Sequence, residues 1–292
     1  MSKIIALANQ KGGVGKTTTA INLAASLAAC GRRALLIDLD PQGNATMGSG
    51  IDKNAVEGSS YEVLTGQASV AATAVETRVK RFFVLPSNSD LTAAEVELME
   101  LPEREFRLRQ ALAPVDDHYD YILIDCPPAL NMLTVNALVA AHSVIIPMQC
   151  EYYALEGLSA LLATIEKIRE AHNPTLAIEG LLLTMFDPRN NLANEVAAQL
   201  AQHFGDKVYR TVIPRNVRLA EAPSHGLPAL AYDRASRGAL AYLALAGEIV
   251  RKDGGLRGAA PGDGLGQPGA DGPASEQNPI DENAAKGVVS GS

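Results

Sequence analysis

The run Lys11-Gly12-Gly13-Val14-Gly15-Lys16-Thr17-Thr18 constrains this chain more than any other stretch. It follows the apolar segment Ile4–Ala8 and leads into a stretch of helical periodicity, Thr18–Ala29. A glycine-rich turn between strand and helix presents backbone N–H groups to phosphate oxygens, and the helix N-terminus adds partial positive charge. In the general pattern G-x-x-x-x-G-K-[ST], the lysine reaches the β- and γ-phosphates and the hydroxyl ligates Mg²⁺. Lys16 and Thr17 hold those two places. The loop departs from the pattern at Gln10, where glycine is usual, and it carries a second cation, Lys11. Lys11 cannot easily address the same phosphates as Lys16. It points to solvent or reaches a nucleotide held by a second subunit.

Short apolar runs alternate with amphipathic stretches through most of the chain. Strands are expected at Ile4–Ala8, Ala34–Leu39, Phe82–Leu85, Tyr121–Asp125, Val144–Pro147, Ile178–Thr184 and Val208–Val212. Helices are expected at Thr18–Ala29, Thr92–Met99, Arg104–Ala113, Thr134–Ala140, Leu155–Ala171, Leu192–His203 and Arg237–Val250. The strands are near-continuously apolar, as strands covered on both faces are. The order implies an α/β fold: a mostly parallel twisted sheet with helices on both faces. Right-handed crossovers then bring the loops after the strand C-termini to one edge, where ligands bind.

Hydrophobic residues make up 47% of the 292, enough for a full core. Cys30, Cys126 and Cys150 are scattered and odd in number, so no disulfide framework or Cys-x-x-Cys site is expected. The five histidines are dispersed too. No apolar run approaches the roughly 18–20 residues that span a bilayer. The start of the chain lacks the pattern of a secretion signal, so a cytoplasmic protein is expected. The sequence divides into a domain over 1–251 and a Gly/Pro/Ala-rich tail over 252–292, expected to be disordered. Net charge is −8 overall and −5 without that tail, so only a local basic patch could favour nucleic acid.

Two further segments carry acids at strand ends. Asp38-Leu39-Asp40-Pro41-Gln42-Gly43-Asn44 places two carboxylates at i and i+2, on one face if the strand continues. Asp40 is then set to orient or deprotonate an attacking water, and Asp38 to support a Mg²⁺ shell. Tyr121-Ile122-Leu123-Ile124-Asp125 ends in one acid before Cys126-Pro127-Pro128, the form of a second nucleotide-binding strand whose Asp holds Mg²⁺ through water. Later, Ile213-Pro214-Arg215-Asn216-Val217-Arg218 precedes Glu221-Ala222-Pro223-Ser224-His225-Gly226. Pro214 offers a flat apolar surface and Asn216 an amide for a base edge. Basic residues recur late, at Arg189, Lys207, Arg210, Arg215, Arg218, Arg234 and Arg237. They form a stripe only if the fold aligns them, and lack the aromatic interleaving of single-strand binding.

Together these motifs resemble the ParA/Soj family of chromosome- and plasmid-partitioning ATPases, within the deviant Walker A (MinD/ParA) superfamily. The resemblance covers roughly residues 2–250, and the Asp38–Asn44 and Ile213–Gly226 segments resemble its chromosomal, Soj-like branch. It implies a P-loop NTPase fold and Mg²⁺-dependent ATP hydrolysis. Gly12, Gly13, Val14, Gly15, Lys16, Thr17 and Thr18 would then hold the nucleotide, with Thr17 and Asp125 toward Mg²⁺. Lys11 matches the lysine that reaches across a dimer, Asp40 the acid that positions water, and Pro214 and Asn216 the base loop. Arg189 and Arg218 match basic positions used on DNA. The resemblance further implies an ATP-dependent homodimer and binding to double-stranded DNA without sequence preference. It also implies nucleoid association and stimulation of hydrolysis by a ParB-like partner.

No helix-turn-helix precedes the first strand at about Lys3, so operator recognition is not expected. No basic amphipathic helix follows Val250, which argues against a MinD-like membrane cycle. An Fe–S scaffold ATPase would need cysteines placed to bridge a cluster, and Cys126 and Cys150 do not match that pattern well.

Overall fold

The computed structural model describes residues 1–151 and 154–254. Among them, one sheet is built from β1 (Lys3–Leu7), β2 (Ala34–Asp38), β3 (Val75–Glu76), β4 (Phe82–Leu85), β5 (Tyr121–Asp125), β6 (Ser143–Gln149) and β7 (Ala177–Thr184). The strand order is β3-β4-β2-β5-β1-β6-β7. β3 runs antiparallel to β4, and every other pairing is parallel. The expected α/β class is what forms.

Strand alternation divides the apolar residues into two cores. Ile4, Ala6, Leu35, Ile37, Ile122 and Ile124 face one side, and Ile5, Leu7, Leu36, Leu123 and Ile145 the other. The first side is covered by the helices Met132–Ala140 and Ala154–Ala171, through Leu133, Leu138, Leu158, Leu161 and Ile165. The second is covered by the helices Lys16–Ala29 and Arg237–Lys252, which pack on each other. Each fully buried Leu or Ile contributes about 1.5–3 kcal/mol, so the continuous apolar strands find their partners on both faces at once.

Three local expectations change. The strand expected over 208–212 does not join the sheet. It touches β7 through isolated parallel bridges, Leu181 to Val208 and Phe186 to Pro214. Between them, the N–H groups of Arg210 and Thr211 each donate to the Glu248 carboxylate at 3.1 Å, so a side chain takes donors a ladder would use. β3 was not expected, because two residues carry no periodicity. β2 stops at Asp38, one residue early, because the Asp40 N–H turns back to Asp38 Oδ1 at 3.1 Å.

The last described helix runs to Lys252, and the Tyr121 hydroxyl donates to Asp253 Oδ2 at 2.8 Å. Asp253 also pairs with Lys3. From residue 255 onward, the expected tail lies outside the described residues. Among the described residues no helix is long and apolar enough to cross a membrane.

Candidate functional site

The phosphate loop joins β1 to the Lys16–Ala29 helix. Other long helices here begin on a side-chain cap: Asn131 accepts from Thr134 N, Asn190 from Ala193 N and Ser236 from Ala239 N. The Lys16–Ala29 helix instead has Gly15 at its N-cap, at φ 88°, with no side-chain cap. A side chain would be strained at that φ. The first-turn N–H groups are left for an external acceptor, and an anion suits them best.

The loop is braced from beneath. Asn9 donates to Pro147 O at 2.8 Å and accepts from Lys11 N at 3.0 Å. The Thr184 hydroxyl donates to Val14 O at 2.7 Å. Lys16 is 7% exposed, and its ammonium donates to Lys11 O at 3.2 Å. Burial pushes the Lys16 pKa down, and Asp125 is the largest of the charges that oppose this. Lys11 stands at the surface, and its ammonium donates to Glu151 Oε2 at 2.5 Å.

The three acids have different surroundings. Asp38 and Asp125 are register partners at the ends of β2 and β5, and both are fully buried. Asp38 Oδ2 accepts from Thr46 N at 2.8 Å and Thr46 Oγ1 at 2.7 Å, and burial raises its pKa to about 6. Neither Asp125 oxygen has a partner at ordinary hydrogen-bond distance, although the Thr17 hydroxyl is near enough to lower its pKa. Burial, then the Asp38 charge, raise its pKa well above the carboxylate range, while Thr17 and Lys16 pull it down. Asp40 lies beyond the strand end, so it does not share a strand face with Asp38. Its Oδ1 accepts from Gln42 N at 3.0 Å. The turn needs glycine at 43, where φ is 62° and a Cβ would stand 2.8 Å from Ser87 O.

Two clefts meet over the loop. One, of about 270 Å³, is lined by Gly12, Gly13, Gly15, Lys16, Thr17, Thr18, Asp40, Asn44, Pro128 and Met185. The other, of about 200 Å³, is lined by Gly15, Thr18, Thr184, Met185, Ile213, Pro214, Arg215, Asn216, Leu219, Ala220 and Tyr242. They share Gly15, Thr18 and Met185, so they form one trough. Asn216 Oδ1 is buried in the second without a partner. A larger open cleft, about 1020 Å³, lies away from the loop between Gly205–Thr211 and the last helix. It holds no phosphate-binding turn, and of the two acids that line it, Asp206 and Glu248, Glu248 is committed to Arg210 and Thr211.

An AAA domain family model matches residues 2–178. The sporulation initiation inhibitor protein Soj of Bacillus subtilis is 56% identical over 86% of this chain and 99% of its own. The chain belongs to the ParA/Soj family of partitioning ATPases. The chromosome partitioning protein ParA of Caulobacter vibrioides is 53% identical over 86% of this chain and 95% of its own. Among solved structures, cobyrinic acid a,c-diamide synthase of Mycobacterium smegmatis, with bound ADP and magnesium, superposes with a TM-score of 0.77. It is 38% identical and covers 88% of this chain and 97% of that one.

For this ParA/Soj chain, the fold brings together Gly12, Gly13, Gly15, Lys16, Thr17, Thr18, Asp40, Pro214 and Asn216 along the trough. Val14 is buried beneath it, and Asp38 and Asp125 sit under its floor. Arg189 and Arg218 stand apart from it, and each is already paired. Arg189 Nε and Nη2 donate to Asp187 at 3.0 and 2.8 Å, holding that carboxyl down to about 2. Arg218 bridges Glu221 at 2.7 Å and Asp233 at 3.2 Å. Sequence reasoning missed Asn9, Asn44, Glu151, Thr184 and Met185. Met185, at φ 49°, joins the two clefts, and nothing in its sequence neighbourhood marks it. Asn9 was findable as the polar residue ending an apolar strand just before the loop.

Proposed function

We infer that the chain binds Mg²⁺-ATP in this trough and hydrolyses it to drive DNA partitioning. The observation that supports this most is the trough's continuity. It runs from an uncapped helix N-terminus, suited to phosphates, to the unpartnered Asn216 Oδ1, suited to the exocyclic amine of adenine. The similar cobyrinic acid a,c-diamide synthase holds ADP and magnesium, and the partitioning relatives are much closer in sequence.

In this reading Lys16 and the amides of Gly12–Thr18 bind the phosphates. Thr17 and Asp125 are the residues that fit Mg²⁺: a hydroxyl at the helix start above a buried carboxylate whose oxygens lack partners at ordinary hydrogen-bond distance. No group of three or more His, Cys, Asp or Glu among the described residues could hold an ion. When bound, Mg²⁺ neutralises charge on the phosphates. Asp40, partly exposed at the trough wall, positions the attacking water. Asp38 holds the Asp40 turn in place through Thr46, and so supports the Mg²⁺ side indirectly.

Lys11 then leaves Glu151 and enters the nucleotide site of a second copy, so that ATP favours the dimer. The dimer binds duplex DNA through Arg189 and Arg218, associates with the nucleoid, and is returned to monomer when a ParB-like partner stimulates hydrolysis. The test is the rate of ATP hydrolysis by the full chain, alone and with DNA, a ParB-like protein or both. Stimulation that needs both supports the cycle. No DNA binding with ATP, together with binding to anionic vesicles, would overturn it in favour of a membrane-bound regulator.

A further inference from the structure

At the sheet edge opposite the phosphate loop, cations gather at the corner where β2 and β4 start. Asp116, Asp117, Glu179 and Asp253 lie at the β1, β5 and β7 starts of the same edge and are bonded to Met1, Ser2, Lys3 or Tyr121. β2 and β4 start there side by side, after Gly31-Arg32-Arg33 and Thr77-Arg78-Val79-Lys80-Arg81 respectively. The second segment is the turn of the β3–β4 hairpin, closed by Thr77 N donating to Phe82 O at 2.9 Å. Arg81 O accepts from Ala34 N at 2.9 Å, and Arg81 Nη1 donates to Gly31 O at 2.7 Å, so the two segments form one ridge. Arg81 sits at φ 68°, which a non-glycine residue keeps only where its surroundings enforce it. Val79 turns inward and lines a cleft of about 230 Å³ with Ala29, Leu230 and Arg234.

Arg32, Arg33, Arg78, Lys80, Arg81 and Arg234 thus gather at one edge, six of the 25 Lys and Arg in the chain. The acids nearest in the chain or by contact are Glu76, Asp120 and Asp233. Asp120 Oδ2 accepts the Arg33 backbone N–H at 2.8 Å, and Asp233 is engaged with Arg218. Arg33 lies over the rings of Phe83 and Tyr119, at 5.4 and 5.8 Å. Among the described residues Arg78 and Lys80 make no ion pair. They are exposed at the hairpin tip, with their charge available, whereas Arg189 and Arg218 are both already paired.

We propose that this ridge is a second phosphate-contacting surface for duplex DNA, used in addition to the Arg189 and Arg218 surface. The inference rests on the DNA-binding reading above and adds a place to it. A protruding tip of long cations suits a phosphate backbone, which needs charge and reach rather than a pocket. An acidic peptide with an apolar anchor fits less well, because the adjoining cleft is below the roughly 300–1,000 Å³ of ligand pockets. The ridge lies at the edge away from the nucleotide trough. It therefore supplies a salt-sensitive attraction to DNA both with and without nucleotide.

The test is fluorescence anisotropy of a labelled mixed-sequence duplex with the full chain, over a salt series, with and without Mg²⁺-ATP. Each phosphate contact contributes about 0.9 to the slope of log K against log salt. Arg78→Gln with Lys80→Gln should lower that slope by about 1.8 in both conditions, and leave DNA-free ATP hydrolysis unchanged. Arg81→Gly, which takes the positive φ without strain, should lower it further in a folded protein. Arg189→Ala with Arg218→Ala should leave a residual slope without nucleotide. A wild-type slope in the Arg78/Lys80 variant overturns the ridge while leaving DNA binding intact. Tighter binding of an oligoglutamate peptide than of duplex at these residues overturns it in favour of a protein partner. Absence of duplex binding by the wild type in every condition overturns the DNA reading itself, and the ridge with it.

Discussion

Lys11 and Glu151 form an ion pair at 2.5 Å beside the phosphate loop, with their side chains 42% and 51% exposed. An exposed pair of this kind contributes about 0–1 kcal/mol. It is strong enough to bias where Lys11 rests and weak enough for a nucleotide phosphate to displace it. Glu151→Gln should therefore lower the protein concentration at which an ATP-dependent dimer forms, by up to about thirtyfold, because two such pairs of up to about 1 kcal/mol each are broken per dimer. Sedimentation with a slowly hydrolysed ATP analogue measures this, and Lys11→Ala should abolish the dimer. An unchanged midpoint in Glu151→Gln would mean that the pair does not hold Lys11 back.

Asp40 faces the trough from the turn after β2, and its backbone is pinned by the Ser87 hydroxyl at 2.8 Å. Asp40→Ala should keep ATP binding, lose at least about 10²-fold in hydrolysis as for a lost positioned base, and accumulate the ATP-bound dimer. Size-exclusion chromatography with Mg²⁺-ATP reads the dimer directly. A monomer at concentrations where the wild type dimerises would remove Asp40 from this role.

Asp38 and Asp125 couple the site to stability. Burial raises both carboxyls, Asp38 to about 6 and Asp125 well above its usual range. A folded carboxyl that keeps its proton longer than the unfolded one favours the fold below the unfolded value. That advantage is lost as pH rises through the folded value. For Asp38 the loss runs from about pH 4 to about pH 6, and for Asp125 it extends further. Asp125→Asn removes a desolvated charge whose oxygens have no partners at ordinary hydrogen-bond distance. The nucleotide-free variant should gain about 1–3 kcal/mol at neutral pH and show a flatter pH profile by urea denaturation. Its Mg²⁺-dependent hydrolysis should fall sharply. A variant less stable than wild type at pH 7 would show that Asp125 is already compensated in the nucleotide-free protein.

Asn216 presents a buried acceptor without a donor. Adenine brings an amine to that place and guanine brings a carbonyl. Asn216→Ala should weaken ATP binding by about 1 kcal/mol, roughly fivefold, and narrow the preference for ATP over GTP. Competitive titration against a fluorescent nucleotide measures both. An unchanged ATP/GTP ratio would leave base selection to the Pro214 surface or the backbone.

The phosphate loop, the parallel α/β class and all the strands from β1 to β7 except β3 were legible in the sequence. Each rests on local information: glycines where φ turns positive, continuous apolar runs, and an alternation of strand and helix. The two-sided core follows from the same runs, since strands with no polar face must be covered twice. What the local pattern could not show is where polar groups spend their hydrogen bonds. The apolar look of 208–212 suggests a strand, yet Glu248, almost forty residues later, takes its amides. Asp38 and Asp40 look like a matched pair at i and i+2, yet the chain turns between them, burying one and leaving the other partly exposed. Lys11 reads as a spare cation until Glu151 is found beside it. The hairpin cations Arg78, Lys80 and Arg81 look unremarkable along the chain and join Arg32 and Arg33 only because β2 and β4 pair. Sequence by itself determined the fold and the chemistry of the loop, because backbone conformation and burial depend on neighbours in the chain. Tertiary structure decided the long-range partners, such as Glu151 for Lys11 and Glu248 for the Arg210 and Thr211 amides, because those distances are set by packing and not by neighbours in the chain.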